Sequence, residues 1–416
     1  MKRVAMISNE LAPYRCDGGL GVAVERLCLQ LSASKTETTV FFPSKQQYPR
    51  HADHSSLLTP IAIPISTGPF DTEKQFAAAA TDFCWAASER ITPDEFDCVV
   101  AHDNESAFST VLSAKVAIPT VFWLHSLYDH PRKSDLPTHA STLLQSPSLV
   151  ASAVASADVV VASSGLLHDA RQISWPKRLG DLQTSLLSAA DTGKMLLAES
   201  LGCLPDAGQI STAASSATSV VAEGRPYVLF AGRPVISKGI GFYQAIAERM
   251  SGCGIDFVAV GQPSDEILCN CRNIRWIPWL PQIELFGLMT RAAAVVHPSI
   301  TEGYGLAAAE SCLLNENVLC HEVGGLRALT ERGLAQGIAL TDDELISLYE
   351  LWAKLLSMEN GEYWKLWQRY LPRFRRLTSQ WAQRLRDVTA PTNRPVTARQ
   401  RVGGEKTWGQ TLMERL

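Results

Sequence analysis

Short runs of β-branched and aromatic residues alternate along this chain with longer stretches whose apolar side chains recur at helical spacing. In the first half, Val4–Ser8, Thr38–Phe42, Cys98–Ala101, Thr120–Leu124 and Val159–Ala162 read as strands. In the second half the runs are Tyr227–Ala231, Asp256–Val260, Ile274–Ile277, Ala294–His297 and Asn317–Cys320. Strands alternating with helices are the sequence form of a parallel sheet joined by crossover helices, so the pattern predicts two α/β units in series. Between them residues 209–223, QISTAASSATSVVAE, are rich in Ser, Thr and Ala and poor in large apolar side chains, which predicts a linker. The expected division is therefore an N-terminal domain over residues 1–208, the linker 209–223, and a C-terminal domain over 224–375. Residues 363–386 are dense in Trp, Tyr, Phe and Arg and predict a helix that Pro372 interrupts, and residues 391–416 are expected to form a mobile tail.

The length of 416 residues and 46% hydrophobic content suit two buried cores of roughly 200 residues each. A formal charge of -4 lacks the basic excess of nucleic-acid binders, so no nucleic-acid partner is expected. The ten cysteines are scattered, and the C-x-C pair Cys269 and Cys271 has no partner pair at zinc spacing. They read as reduced thiols with no metal site. Val4–Ile7 is too short for an export signal, and the chain holds no apolar run of about 18 residues, so a cytoplasmic protein is expected. The one segment that suggests a membrane is 363–386, where aromatic and basic residues interleave. It is a candidate for weak peripheral contact at the inner membrane face, against the plainer reading of a packed helix pair with a solvated basic face.

In open parallel sheets ligands bind beyond the carboxyl ends of the strands. After Tyr227–Ala231 comes GRPVISKG, which sets Arg233 and Lys238 five residues apart ahead of a helix, an arrangement suited to a diphosphate. After Ala294–His297 comes PSITEGYGLAAAE. There Glu302 lies in the loop, Gly303 and Gly305 allow backbone amides to approach a ligand, and Glu310 sits on an otherwise small and apolar helix. An unpaired carboxylate on such a helix costs several kcal/mol to bury, so Glu310 requires a partner, either a neighbouring side chain or a ligand hydroxyl. The next strand ends in another glycine turn, HEVGGL. Upstream, Gly18-Gly19-Leu20-Gly21 precedes a helix but lacks the G-x-G-x-x-G spacing and acid of a dinucleotide site. His102 with Asp103, and His125, follow two further strands.

Together these pieces resemble the retaining GT-B glycosyltransferases, above all the family 4 group, with a secondary similarity to bacterial glycogen and starch synthases. The carriers are the G-G-L-G loop, A-H-D at Ala101–Asp103, W-L-H at Trp123–His125, F-A-G-R with K-G over Phe230–Gly239, and E-G-Y-G-L-A-A-A-E, the group's E-x7-E signature. The resemblance spans about residues 1–330. It implies an α/β GT-B fold of two Rossmann-like domains facing each other across a cleft, with a nucleotide-sugar donor, UDP ahead of GDP. It implies that Arg233 and Lys238 hold the donor diphosphate, that His125 contacts the transferred sugar near its O6, and that Glu302 touches sugar hydroxyls. Amides of Gly303, Tyr304, Gly305 and Leu306 then meet sugar or phosphate, Glu310 the ribose, and Gly18 and Gly19 lie under the donor from the other domain. A terminal helix over about 376–390 would cross back to complete the N-terminal domain. Where the group usually has a P-N-G-I-D turn before the linker, this chain has Leu204-Pro205-Asp206-Ala207-Gly208.

Base choice falls to backbone near Gly261. Acceptor choice falls to the N-terminal loops, with Tyr128, Asp129 and His102 as candidates and a glycan, lipid-linked, protein or small-molecule acceptor all open. No D-x-D pair follows a strand, so metal-independent transfer is expected, with no cofactor. Competing readings are another GT-B enzyme, an epimerase or a phosphorylase, or a silent donor-binding scaffold.

Overall fold

The computed structural model describes residues 2–11, 19–44, 57–64, 73–102, 110, 118–125, 147–197, 212, 225–355 and 362–389. The chain forms two compact units, the first from Met1–Ser163, Trp175–Ala198 and Gly403–Leu416, the second from Ser164–Ser174 and Glu199–Val402.

In the first unit β1 (Arg3–Ile7), β2 (Glu37–Ser44), β3 (Leu58–Pro64), β4 (Cys98–His102), β5 (Thr120–Trp123), β6 (Val159–Ala162) and β7 (Met195–Leu197) form one sheet. Its order is β3-β2-β1-β4-β5-β6-β7, and every pairing is parallel. The inner strands β4, β5 and β6 are buried along their whole length, as a sheet covered by helices on both faces requires.

The second unit repeats the plan with β8 (Tyr227–Phe230), β9 (Asp256–Val260), β10 (Arg275–Ile277), β11 (Ala294–His297), β12 (Val318–His321) and β13 (Gln336–Ile338). Their order is β10-β9-β8-β11-β12-β13, again all parallel. The direction of winding reverses between β1 and β4 in one sheet and between β8 and β11 in the other. Such switch points open a crevice at the strand carboxyl ends. In the second unit that places the loops following β8 and β11 side by side.

The ten expected strands are all present, and three more, β3, β7 and β13, stand at sheet edges. An edge strand is covered less completely and carries a weaker apolar run. β3 contains Pro60 and Pro64, and β7 is half-buried to exposed.

The expected domain limits change in two places. Ser164–Ser174, assigned by sequence to residues 1–208, belongs to the second unit. Its helix Ser164–Gln172 buries Asp169, which accepts hydrogen bonds from Gly324 N at 2.9 Å, Arg327 at 3.2 Å and Tyr349 Oη at 3.1 Å. The terminal helix Arg375–Thr389 also stays with the second unit rather than completing the first. Trp381 packs edge-on against His321 at the end of β12, and Arg376 bonds Glu344. The linker 209–223, apart from Thr212, and the tail 391–416 lie outside the described residues.

Pro372 does interrupt the terminal segment. The helix Tyr363–Tyr370 passes into a 3-10 turn, Leu371–Phe374, before Arg375–Thr389 begins. Trp364, Trp367, Phe374 and Trp381 all point inward and are buried. Trp367 lies against Phe242 and Phe374, and a Cβ on Gly241 would fall 2.5 Å from its ring. The aromatic half of the candidate membrane face is therefore core, and what faces outward over 363–386 is polar and basic. Among the described residues no helix is long and apolar enough to cross a membrane.

Trp381→Ala should lower unfolding free energy by about 3–5 kcal/mol, the usual cost of emptying a buried aromatic site. Denaturant titration of the purified chain measures it, and a loss below 1 kcal/mol would mean that this helix is not anchored as described.

Candidate functional site

The chemistry of the second unit collects at its switch point. From β8 the chain runs through Ala231–Val235 into a 3-10 turn, Ile236–Lys238, and then into the helix Ile240–Arg249. Gly239 joins the two at φ +83°, and a Cβ there would lie 1.7 Å from the carbonyl oxygen of Pro298. Only glycine permits the turn carrying Lys238 to press against the loop after β11. The two loops are also joined through Ile300 N, which donates to Ser237 O at 2.9 Å.

This contact brings Lys238 Nζ to 2.7 Å from Glu302 Oε1. Ser299 Oγ donates to the other carboxylate oxygen at 3.1 Å. The two charged side chains are only 18% and 14% exposed. Burial by itself raises the Glu302 pKa, but the Lys238 charge and hydrogen bond, the Ser299 hydroxyl and nearby His297 outweigh it and hold the carboxyl below its ordinary value. His297 is in turn lowered to about 4, chiefly by burial, and its Nε2 meets Ser311 Oγ at 3.1 Å.

Beyond Glu302, Gly305 adopts φ +66° and opens the helix Leu306–Leu314 with no side-chain cap on its first amides. An uncapped helix start beside a lysine is an anion-binding arrangement. Glu310 lies on the second turn at 7% exposure and accepts a hydrogen bond from Gln282 Nε2 at 3.2 Å. Behind the loop, Gly325 N donates to Glu302 O at 3.0 Å. A Cβ on Gly324 would sit 1.9 Å from that same oxygen, and one on Gly325 2.0 Å from Gly303 O. The HEVGGL turn is thus the backing of the Glu302 loop, and Asp169 fixes it from behind through Gly324 N. Arg233 is half-buried in the loop after β8, and Tyr304 is buried. Gly261, at φ +133° after β9, donates its N–H to Ile277 O and would bring a Cβ within 3.1 Å of Pro234 and 3.9 Å of Trp279.

In the first unit β4 and β5 end side by side and deliver His102 and His125. His102 Nδ1 and His125 Nε2 are 2.8 Å apart. Trp123 stacks on both rings. Burial lowers His102 to about 3, and burial together with His102 pushes His125 well below its ordinary value, so both are neutral imidazoles at neutral pH. Gly19 begins the helix Gly19–Ala33, whose Gly21 N–H donates to Glu10 Oε2 at 3.1 Å. Gly18, Asp103, Tyr128 and Asp129 lie outside the described residues.

Residues 17–170 match the sequence model described as Glycosyltransferase Family 4. No curated protein sequence matches the chain. Among solved structures, the catalytic domain of starch synthase IV from Arabidopsis thaliana, bound to ADP and acarbose, is similar at TM-score 0.62 and 16% identity, covering 94% of this chain and 99% of that one. Sucrose-phosphate synthase from Thermosynechococcus elongatus is similar at 0.60 and 16%, covering 94% and 100%. A UDP-forming α,α-trehalose-phosphate synthase from Burkholderia vietnamiensis is similar at 0.54 and 14%, covering 94% and 98%. The fold is that of the GT-B glycosyltransferases.

Within this GT-B chain, sequence reading missed three polar residues that act on the candidate groups. Ser299 bonds Glu302, Gln282 bonds Glu310, and Asp169 fixes the turn behind both glycines. Ser299 had a signal in its place on the loop after β11. Gln282 and Asp169 had none, since each reaches its partner from an element distant in sequence.

His102, His297 and His321, the last lowered to about 4 by burial, all have folded pKa values below the ordinary 6.5. Between pH 6.5 and 4 the unfolded chain binds more protons at these sites than the folded one, so stability should fall as pH is lowered through that range. His297→Gln keeps an Nε2-like donor for Ser311 but does not titrate. It should flatten the slope of unfolding free energy against pH by up to one proton, about 1.4 kcal/mol per pH unit. An unchanged slope would show that His297 is accessible to protons in the folded state.

Proposed function

We propose that this chain of GT-B fold is a glycosyltransferase that moves a sugar from a nucleoside-diphosphate sugar to an acceptor hydroxyl, with retention of anomeric configuration and without a metal. The observation that carries the reading is the Lys238–Glu302 pair beside the uncapped start of helix Leu306–Leu314. Lys238 spends one of its three donors on Glu302 and has two for phosphate oxygens. Arg233, on the same loop, supplies the second cation. As the glycosidic bond to the diphosphate breaks, negative charge grows on the leaving group. Cations and helix amides already in place then stabilise the transition state more than the ground state.

Each Glu302 oxygen, already holding one donor, has capacity for a sugar hydroxyl, and the depressed pKa keeps the group an acceptor. Glu310, oriented by Gln282, is assigned to the ribose hydroxyls. His125, neutral and hydrogen-bonded to His102, is assigned to the transferred sugar near O6. A UDP-sugar is preferred as donor over a GDP-sugar, in keeping with a UDP-forming synthase among the fold relatives, and a glycan hydroxyl is the proposed acceptor. Retention rests on the resemblance to family 4. Metal independence rests on the two cations and on the lack of a D-x-D pair after any strand.

Thermal shift of the purified chain against UDP, GDP, ADP and their sugars identifies the donor, and turnover of that donor follows. Lys238→Ala and Glu302→Ala should each reduce transfer by roughly a hundredfold while leaving the protein folded. Near-normal turnover in either variant removes that residue from the mechanism, and absence of transfer from every donor supports a silent binding protein instead. EDTA should leave the rate unchanged, whereas loss with recovery on manganese would overturn metal independence.

A further inference from the structure

Between the core of the second unit and Glu302 runs an unbroken set of hydrogen bonds that the proposed chemistry does not use. His321 ends β12 and is fully buried. Its ring lies edge-on to Phe242 at 4.8 Å and to Trp381 at 5.3 Å between centroids. Its Nδ1 lies 2.9 Å from the carbonyl oxygen of Ser299. A carbonyl only accepts, so Nδ1 carries the proton and donates. Nε2 is buried and has no partner among the described residues. Ser299, itself 3% exposed, then donates through Oγ to Glu302 Oε2.

We propose that His321 is a positioning residue for the candidate donor site: through Ser299 it fixes the rotamer of Glu302 and adds to the hydrogen bonding that keeps its carboxyl ionised, and the terminal helix holds its ring in place through Trp381. This rests on the reading of Glu302 and Lys238 as donor-binding groups. A buried imidazole is a costly way to fill an apolar space, because a leucine or phenylalanine would pack there without an orphaned nitrogen. What the imidazole adds is one donor aimed at one carbonyl, from a ring enclosed by Phe242 and Trp381. Ser299 is thereby held at its backbone by His321, so its hydroxyl stays directed at the carboxylate. The arrangement makes the terminal helix, remote in sequence from β11, a support of the loop that bears Glu302.

Three variants test this. His321→Asn keeps a donor on the atom equivalent to Nδ1, His321→Leu keeps bulk and removes the donor, and Ser299→Ala removes the hydroxyl with little change in volume. The titratable groups facing Glu302 are Lys238, from the turn after β8, and His297, from the end of β11, and all three variants retain both. The first readout is the titration of the Glu302 carboxyl by carbon-13 NMR, with its signal assigned through Glu302→Gln. Its pKa should rise in Ser299→Ala and His321→Leu and return toward the wild-type value in His321→Asn. The second is turnover of the donor found by thermal shift, per folded molecule and well below the melting temperature. It should fall roughly ten- to hundredfold in His321→Leu and recover in His321→Asn, even where His321→Asn is the less stable protein.

An unchanged Glu302 titration in His321→Leu overturns the proposal, as does activity in the two His321 variants that simply follows stability. A wild-type chain that binds none of UDP, GDP and ADP defeats the donor-site reading. In that case the titration still decides whether His321 sets the state of Glu302.

Discussion

A lysine and a glutamate, 2.7 Å apart and both mostly buried, are the contact around which the second unit is arranged. Two such charges leave water at a cost that their mutual attraction offsets only if the remaining hydrogen-bonding capacity is also met. Ser299 meets part of it, and the loops must come close enough for the pair to form at all. That requirement explains the glycines. Gly239 lets one loop touch Pro298, and Gly324 and Gly325 let the backing turn touch Glu302 and Gly303, in each case with backbone against backbone at distances that no side chain permits.

Further layers keep the backing turn where it is. Asp169, delivered by the helix Ser164–Gln172, is buried with donors from Gly324, Arg327 and Tyr349. Burial raises its pKa, and the donors from Gly324, Arg327 and Tyr349 only partly offset the shift. On the other side the aromatic cluster of Phe242, Trp367, Phe374 and Trp381 fills the space beneath the helix that follows Lys238. The aromatic richness of residues 363–386, which in sequence suggested a membrane surface, is used as interior packing, and the basic residues are what remains for water. The amphipathic pattern is the same in both cases. What differs is which surface receives the apolar side.

In the first unit the polar side chains at the ends of β4 and β5 are histidines. His102 and His125 share one hydrogen bond under Trp123, and both are kept neutral by burial. Neutral imidazoles offer one donor and one acceptor each, which suits hydroxyl recognition better than phosphate binding. Lys238 and Arg233, the two cations assigned to the donor diphosphate in the proposed reading, both belong to the second unit.

Ten strands, the two α/β units and the residues at the ends of those strands could be read in the sequence, because buried parallel strands carry continuous apolar runs and because chemistry at strand ends follows directly from where those runs stop. Glu302 and Glu310 were visible for the same local reason: an acid in a glycine-rich loop or on a small-residue helix contradicts its surroundings. The edge strands β3, β7 and β13 were not visible, since exposure dilutes the apolar signal. Nor were Gln282, Asp169 and His321, whose meaning lies entirely in the partners they reach. A hydrogen bond between residues far apart in sequence leaves no periodicity behind. The same holds for the placement of Ser164–Ser174 and of the last helix: each carries an apolar face, and only the fold decided which core received it.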